Sequence, residues 1–406
     1  MMKYLADEEL RRIADSGLLR QMREIDSAQG PVVRINNRDL INFSSNDYLG
    51  LAGSDELKDA MIEGVKRFGV GAGASRLVCG NLKPHDDLES TLASFKGTEA
   101  ALAFSSGYAT AMGVIPALCG KDDTIILDKL SHACLIDAAR LSGATLRVFP
   151  HNDLGRLAHL LKTLREKSAD SRILVVTESI FSMDGDAAPL GQMVELCEAH
   201  DALLLVDEAH AVGVLGPGGR GLIAKLGLET RVPLQMGTLG KALGVSGGYL
   251  AASRSIIDLL INKARSLIYS TAPPPAVAFA AMKAIDIVQS LPGDDLRARL
   301  RANIDAVANA LRLPAVAAII PLIIGDEATA MQTSAALLEQ DFLIPAIRYP
   351  TVARGSARLR LTLSAAHERR QIEGLVACLH NFMPLPLASA EHAPQAEPEQ
   401  VLPPGQ

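Results

Sequence analysis

Residues 203–210 read Leu-Leu-Leu-Val-Asp-Glu-Ala-His, an aliphatic run that ends in two acids and a histidine. Such a run is typical of a strand that is buried on both faces of a parallel sheet. Buried strands seldom carry a carboxylate unless something pairs with it. Because ligands of open α/β sheets bind beyond the carboxyl ends of the strands, Asp207 is predicted to pair with a cationic ligand atom. The alternative is a helix N-cap, a position that Asp often takes.

Short apolar runs on both sides of this stretch alternate with helical patterns. Together with 203–206, the predicted strands are 101–104, 124–127, 146–149, 173–176 and 249–252. Helical patterns such as 155–167 and 190–200 separate them. This alternation predicts an α/β fold of the open, doubly wound kind, with a mostly parallel central sheet.

Four segments are expected along the chain: an N-terminal arm (1–45), a large domain (46–285), a smaller C-terminal α/β domain (286–383) and a disordered tail (384–406). The arm should contain one or two amphipathic helices within 4–25, followed by a hairpin around Asn36 and Asn37. Strands of the small domain are predicted at 319–324, 344–348 and 359–363. The tail is rich in Pro and Glu and has little apolar content.

Composition excludes several classes of protein. The chain has 406 residues, and a net charge of -6 argues against a nucleic-acid binder. Its five cysteines are far apart and lack a C-x-x-C pair, so neither a disulfide framework nor a structural metal site is expected. The charged N-terminus predicts no signal peptide, and no apolar run approaches the ~18 residues of a membrane span. We therefore expect a cytoplasmic enzyme without a metal that binds neither nucleic acid nor membrane.

Lys241 lies in a glycine-rich loop, residues 237–248, that has no other charged residue. A lysine in such a loop either extends to the surface or is a desolvated amine, and desolvation makes an amine a nucleophile toward carbonyls. Thr238 can offer its hydroxyl to a phosphate nearby. Gly107 and Tyr108 follow a predicted strand and open an apolar helix, and helix starts favour phosphate binding.

His132 is the last part of this constellation, although alone it would more often be a structural histidine. Phosphate donors, a carboxylate for a ring nitrogen, a histidine and a Schiff-base lysine are together what pyridoxal phosphate needs. No single residue decides the prediction. It depends on the order and spacing of these residues within an α/β sheet.

Three other motifs were weighed against this hypothesis. Residues 69–74 fit the loose dinucleotide fingerprint but follow a helical pattern instead of a strand. Residues 237–241 do not match a P-loop, because the first glycine is too close to the Gly-Lys pair and Ala242 follows the lysine. Residues 244–248 fit the G-x-S-x-G elbow of serine hydrolases around Ser246, but the predicted strand follows the motif when it should precede it.

The chain resembles the α-oxoamine synthase family of fold-type I pyridoxal-phosphate enzymes over about 19–383. The motifs that carry the resemblance are Asn42-Phe-Ser-Ser-Asn-Asp-Tyr-Leu-Gly-Leu51, Leu130-Ser-His132, Thr177-Glu-Ser-Ile-Phe-Ser182-Met-Asp-Gly-Asp186, Asp207-Glu-Ala-His210, Thr238-Leu-Gly-Lys241 and Ala357-Arg-Leu-Arg-Leu-Thr-Leu363. The resemblance implies that the large domain binds pyridoxal 5'-phosphate. It also implies homodimers with shared active sites, in which Ser270 and Thr271 reach the partner's phosphate.

The resemblance further implies a role for each site residue. Lys241 would form the Schiff base and move the α-proton, Asp207 would pair with the pyridine nitrogen and His132 would stack on the ring. His210 and Ser182 would bond the side of the phenolic oxygen. Phosphate contacts would come from Gly107, Tyr108 and Thr238. Substrate contacts would come from Arg360 at the amino-acid carboxylate, from His132, and from Arg20 and Thr351 at the acyl group.

Segments 267–274 and 346–352 are most similar to the biotin-pathway members of the family. Those members condense L-alanine with a pimeloyl thioester, carried on coenzyme A or on acyl carrier protein, and release carbon dioxide. Within the family, the alternatives are condensation of glycine with acetyl-CoA and of serine with a long acyl chain. Two other classes stay open, a serine hydrolase built on Ser246 and a dimeric binding protein that does no catalysis.

Overall fold

A computed structural model describes residues 2–168 and 171–382 of the chain. Its strands are β1 Val32–Ile35, β2 Arg38–Asn42, β3 Ala100–Phe104, β4 Thr124–Asp128, β5 Thr145–Phe149, β6 Ile173–Glu178, β7 Leu203–Asp207, β8 Leu234–Thr238, β9 Gly248–Ala252, β10 Ile319–Gly325, β11 Phe342–Leu343, β12 Ala346–Ile347 and β13 Ala357–Thr362. Its α-helices are α1 Met2–Asp15, α2 Asp55–Phe68, α3 Lys83–Lys96, α4 Gly107–Leu118, α5 Ala133–Ser142, α6 Leu154–Lys167, α7 Leu190–Ala199, α8 Leu222–Lys225, α9 Arg254–Lys263, α10 Arg265–Ile268, α11 Pro275–Gln289, α12 Leu291–Leu311, α13 Glu327–Glu339 and α14 Arg369–Phe382. The predicted tail at 384–406 lies outside the described residues.

The central sheet has seven strands in the order β3-β9-β8-β7-β6-β4-β5. Only β9 runs antiparallel to its neighbours, β3 and β8. The other pairs are parallel, which confirms the predicted α/β architecture. All six strands predicted for this sheet are present, and β8 is a seventh that the sequence did not predict.

Helices cover both faces of this sheet, because most of its strands are apolar along their length. On one face, α4, α5 and α9 pack against alternate strand residues such as Leu127 and Leu205. On the other face, a larger core takes in α3, α6, α7 and α11 and continues into β10 and β13. The strand ends between these two layers are where side chains from several loops can meet.

The C-terminal region is tied to the chain's beginning. Strands β10, β13 and β12 form an antiparallel sheet, and β11 pairs in parallel with β2 of the N-terminal hairpin. Phe43 belongs to the same core as Leu361 on β13. The domain boundaries at 45, 285 and 383 stay a prediction.

The N-terminal arm contains one helix, the first of the two possibilities that were predicted. Helix α1 is the single helix of residues 2–31, and Gly17 takes a left-handed φ of +68° two residues after its end. The apolar pattern beyond residue 17 does not form a second helix. Leu19 and Met22 are exposed, so the pattern has no partner surface within the described chain. In the described ranges, no helix is both long enough and apolar enough to span a bilayer.

Candidate active site

The candidate site lies at the carboxyl ends of adjacent parallel strands. Glu178 ends β6 and Asp207 ends β7, and the two residues are paired in register. Thr238 ends β8, while His132 caps the start of α5 in the turn after β4. Because parallel strands all end at one edge of a sheet, residues from four distant segments meet here.

Lys241 and His210 are in direct contact. The Nζ of Lys241 lies 2.7 Å from Nε2 of His210, and the hydroxyl of Tyr48 lies 2.6 Å from Nδ1 of the same ring. Tyr48 also donates to the amide oxygen of Asn46 at 3.1 Å. The loop after β8, the turn after β7 and the segment 42–50 are thus joined through one imidazole. Sequence reasoning missed both Tyr48 and Asn46, although they lie in a segment quoted for the resemblance.

The amine of Lys241 is unusually easy to deprotonate. Burial lowers the pKa of Lys241 to about 8, against the opposing effect of the carboxylates of Asp207 and Glu178. Burial also lowers the pKa of His210 well below its ordinary value. The ring of His210 is therefore neutral at pH 7 and can accept a hydrogen bond from the ammonium form of Lys241. The pair suits an amine that gains and loses a proton near neutral pH.

Asp207 is a buried carboxylate with capacity for another partner. Its Oδ1 accepts the main-chain N–H of Ala209 at 2.9 Å within a turn, and no helix starts there, so Asp207 is not the helix N-cap that the sequence left as an alternative. Burial raises the pKa of Asp207, and Lys241 counteracts that effect. A single neutral donor does not satisfy the lone pairs of a buried carboxylate, so a cationic ligand atom would be favoured beside it.

The residues predicted to hold phosphate lie side by side. A Cβ built on Gly107 would stand 3.7 Å from the Cβ of Thr238, so the start of α4 adjoins the end of β8. Gly248 is needed between them, because a Cβ there would lie 2.6 Å from the nitrogen of Gly107. Tyr108 is exposed, and its hydroxyl donates to Asp137. The start of a twelve-residue helix beside a hydroxyl suits a phosphate group.

Arg360 is held in place from two sides. Its Nε donates to the carbonyl oxygen of Ser182 at 2.6 Å, and both terminal nitrogens lie 3.2 Å from the amide oxygen of Asn46. One oxygen thus occupies the end of the guanidinium that recognises carboxylates. Ser182, which is predicted to lie at the phenolic oxygen, thus contacts Arg360 through its main-chain carbonyl.

The turn that contains Ser182 is fixed by β13. Arg358 forms an ion pair with Asp184 at 2.6 Å and also donates to the carbonyl of Met183. Gly185 has a left-handed φ of +70°, and a Cβ there would lie 2.3 Å from the carbonyl oxygen of Ile319. Only glycine allows this turn to lie so close to β10.

The two segments that carry the residues predicted for the acyl group are joined to each other by hydrogen bonds. Arg348 donates to the carbonyls of Gly17 and Leu19, and the N–H of Thr351 donates to the carbonyl of Arg348. Arg348 therefore joins the segment that carries Arg20 to the turn that carries Thr351. Both Arg20 and Thr351 are exposed.

The hydrolase motif lacks its structural context. Ser246 is exposed in the loop between β8 and β9, and β9 follows it directly. A nucleophile elbow needs a strand before the serine and a helix after it. The loop 69–74 follows α2, so the dinucleotide fingerprint also lacks its strand.

The residues of this site fit pyridoxal phosphate. A half-buried lysine of lowered pKa, a buried carboxylate with one N–H donor, and a helix start beside Thr238 offer partners for its aldehyde, its ring nitrogen and its phosphate. Within 2–168 and 171–382, no three His, Cys, Asp or Glu side chains are grouped as metal ligands.

Comparisons with known proteins point in the same direction. The sequence profile of aminotransferase class I and II matches residues 38–379. The 8-amino-7-oxononanoate synthase of Anaeromyxobacter dehalogenans is 46% identical over 95% of this chain and 97% of the relative. That of Herminiimonas arsenicoxydans is 44% identical over 93% of this chain and 99% of its own. A serine palmitoyltransferase of S. paucimobilis with a bound PLP–myriocin aldimine has a TM-score of 0.87 and 29% identity, covering 93% of this chain and 96% of that one.

Proposed function

Since the chain belongs to the aminotransferase class I and II family, and within it to the group that contains the 8-amino-7-oxononanoate synthases, we propose that it is a pyridoxal-phosphate-dependent acyltransferase of biotin biosynthesis. It condenses L-alanine with a pimeloyl thioester to give 8-amino-7-oxononanoate, carbon dioxide and the free thiol. The observation that carries the proposal is the contact of Lys241 with His210 beside Asp207 in a chain 46% identical to such a synthase.

The cofactor would be held by residues from three strand ends. Lys241 would bond to its aldehyde carbon, Asp207 would face its ring nitrogen, and the start of α4 with Thr238 would receive its phosphate. When bound, pyridoxal phosphate supplies a conjugated ring that accepts electrons released at the α-carbon of an amino acid. The carboxylate of Asp207 favours the protonated ring nitrogen and so strengthens this property.

Lys241 then acts as an acid and a base at its Nζ. A pKa of about 8 leaves a useful fraction of both protonation states near pH 7.5, so the amine can take the α-proton and return one later. His210 contacts Nζ at 2.7 Å and orients it, while Tyr48 holds the imidazole from the other side. The neutral ring of His210 adds no second positive charge next to the amine.

Arg360 would bind the alanine carboxylate and orient the substrate. The carboxylate would replace the amide oxygen of Asn46 at the two terminal nitrogens, where a bidentate contact is available. The Nε contact with Ser182 keeps the guanidinium in place during that exchange. With the carboxylate fixed, a carbon–carbon bond forms between the α-carbon and the thioester carbonyl. The thiol leaves and the original carboxylate departs as carbon dioxide.

The acyl chain would meet Arg20 and Thr351, whose segments Arg348 joins by hydrogen bonds. A pimeloyl group ends in a carboxylate, and cationic side chains suit that end better than they suit an acetyl or a long alkyl group. This distinction supports pimeloyl over the acyl groups of the two alternative family reactions. The choice between coenzyme A and acyl carrier protein stays open.

A homodimer is part of the proposal. The bridge between Ser75 and Thr271 joins the segments 69–82 and 269–274, and this joined surface exposes Val78 at 77% and Tyr269 at 71%. Exposed apolar groups of this size favour a protein interface. Sedimentation or light scattering should give twice the mass of the chain, and a monomer at micromolar concentration would contradict this part. The cytoplasmic location stays a prediction.

The test is a reaction with purified chain, pyridoxal phosphate, L-alanine and pimeloyl-CoA. Thiol release and carbon dioxide release should occur in equal amounts, and glycine or serine with acetyl-CoA or palmitoyl-CoA should react more slowly. Borohydride reduction followed by peptide mapping should locate the cofactor on Lys241. A tag on another lysine, or a fluorophosphonate label on Ser246 without thiol release, would overturn the proposal.

A further inference from the structure

Glu178 has no assigned role, yet it occupies a central position at the site. It is buried at the end of β6, next to Asp207 on β7, and paired residues of neighbouring strands point to the same face of a sheet. In the described ranges, no lysine or arginine forms an ion pair with it. A buried acid without a cation partner calls for another explanation.

The hydrogen-bond partner of Glu178 is a main-chain group of a neighbouring turn. Its Oε1 accepts the N–H of His132 at 2.7 Å, and the nearby main-chain N–H of Ser182 opposes the rise in its pKa. His132 belongs to the turn after β4, and Ser182 to the turn after β6. The side chain therefore fixes the first turn and adjoins the second, and each of them carries a residue that faces the site.

We propose that Glu178 is a positioning residue for the proposed reaction, because its side chain holds the main chain of His132 and adjoins that of Ser182 at the edge of the sheet. The inference rests on the proposed function, in which the carbonyl of Ser182 holds Arg360, and on the role that the family resemblance implies for His132, stacking on the cofactor ring. Ser182 is the link to the substrate, since Arg360 Nε donates to its carbonyl at 2.6 Å.

The hydrogen-bonding capacity of Glu178 does not require a negative charge. Burial and the neighbouring Asp207 raise the pKa of Glu178 to about 8, so the carboxyl is largely protonated at pH 7. Glutamine has the same shape and an oxygen that accepts an N–H, whereas leucine has no acceptor. The charged groups that face Glu178 are Asp207 and Lys241.

The first test uses the cofactor-free chain. Selective ¹⁵N labelling of histidine gives an amide signal for His132, which the variant H132Q identifies by its loss. In the wild type, the amide proton shift of His132 should titrate with a midpoint near pH 8, as Glu178 ionises. In E178Q the signal should stay sharp and lose this titration. A wild-type His132 amide that exchanges with solvent as fast as an unbonded amide, or a titration that survives unchanged in E178Q, would overturn the proposal.

The second test measures the affinity for pyridoxal phosphate by absorbance titration. E178Q should bind within roughly threefold of wild type, while E178L should bind about 10- to 100-fold more weakly, because a buried main-chain N–H left without an acceptor costs about that much. Equal affinities for E178L and wild type would refute the positioning role. Should E178L fail to fold, E178Q and the amide titration still decide.

Asp123 offers a matched control. Its carboxylate accepts the N–H of Gly120 at 2.8 Å. Asp123 immediately precedes β4, at the end of the strand that is opposite the site. D123N and D123L should alter the free energy of unfolding without moving the His132 signal or the cofactor affinity. If the amide titration behaves as expected while no variant binds pyridoxal phosphate, the proposed function fails and the contact of Glu178 stands.

Discussion

The buried ion pair between Lys96 and Glu208 is the contact whose removal should most affect the stability of the site's central strand. Lys96 is 1% exposed and Glu208 is 0% exposed, and their charged atoms lie 2.6 Å apart. Glu208 also accepts the N–H of Ile223 at 3.0 Å, and Lys96 donates to the carbonyl of Arg220. The acid directly follows Asp207 and precedes His210 by two residues, so the pair anchors the turn that carries both.

We predict that K96M destabilises the chain by about 3–5 kcal/mol, the range for a buried ion pair that loses one partner. Methionine preserves most of the apolar stem, so the loss comes from the uncompensated charge of Glu208. Solvent cannot screen that charge, since both side chains are buried. The loss would be a large part of a typical total stability of about 5–15 kcal/mol.

Urea unfolding of wild type, K96M, E208Q and the double variant K96M/E208Q provides the assay. The double variant should be more stable than K96M, because a neutral amide replaces the uncompensated carboxylate. Two results would refute the reasoning. One is a loss below about 1 kcal/mol for K96M. The other is a double variant whose loss equals the sum of the two single losses, which would mean that the two charges do not interact.

Three further predictions concern the surrounding contacts. R348M should raise the KM for the pimeloyl thioester and leave the KM for alanine unchanged, because Arg348 holds the segment of Arg20 through Gly17 and Leu19. Steady-state kinetics with each substrate varied in turn would test this, and an equal change in the two KM values would contradict the prediction. N46D should raise the KM for alanine by about tenfold or more, since a fixed carboxylate would compete with the substrate carboxylate for Arg360. An unchanged alanine KM would speak against the proposal that the substrate carboxylate replaces the amide oxygen of Asn46 at Arg360. Although burial opposes it, hydrogen bonds that the ring donates to two carboxylates raise the pKa of His151 to about 10, so its stabilising effect is complete below pH 6.5 and is lost as pH rises through 10. The difference in unfolding free energy between wild type and H151Q should therefore shrink from pH 6 to pH 10, and a constant difference in urea titrations would refute the ion pairs.

The sequence predicted six of the seven strands of the central sheet because each is a nearly unbroken apolar run. Strand β8 reads Leu-Gln-Met-Gly-Thr, and its glutamine and glycine conceal it. Gln235 is nonetheless fully buried, with its amide nitrogen donating to the carbonyl of Glu229. The place of this segment between β7 and β9 in the sheet makes it a strand, and the β-propensity of a single segment cannot reveal that place.

The site was predictable in its chemistry and only partly in its contacts. Lys241, Asp207 and His210 come from two adjacent loops, and their residue types already indicate a cofactor. Asn46 and Tyr48 reach the site from more than 150 positions away in the chain, and a polar residue in a turn-rich segment gives no signal of its partner. A long-range contact of this kind follows from the tertiary packing and not from local patterns.

Asp207 and Glu208 illustrate how one turn serves both stability and chemistry. The two acids are neighbours in sequence and are neutralised in different ways. Lys96 and the N–H of Ile223 satisfy Glu208 completely, and a Cβ on Gly221 would lie 2.4 Å from its carboxylate, so no further group can approach there. Asp207 has one main-chain donor and faces Lys241 instead. The acid that is fully paired holds the turn rigid, and this rigidity keeps the incompletely paired acid in position for a cationic ligand atom.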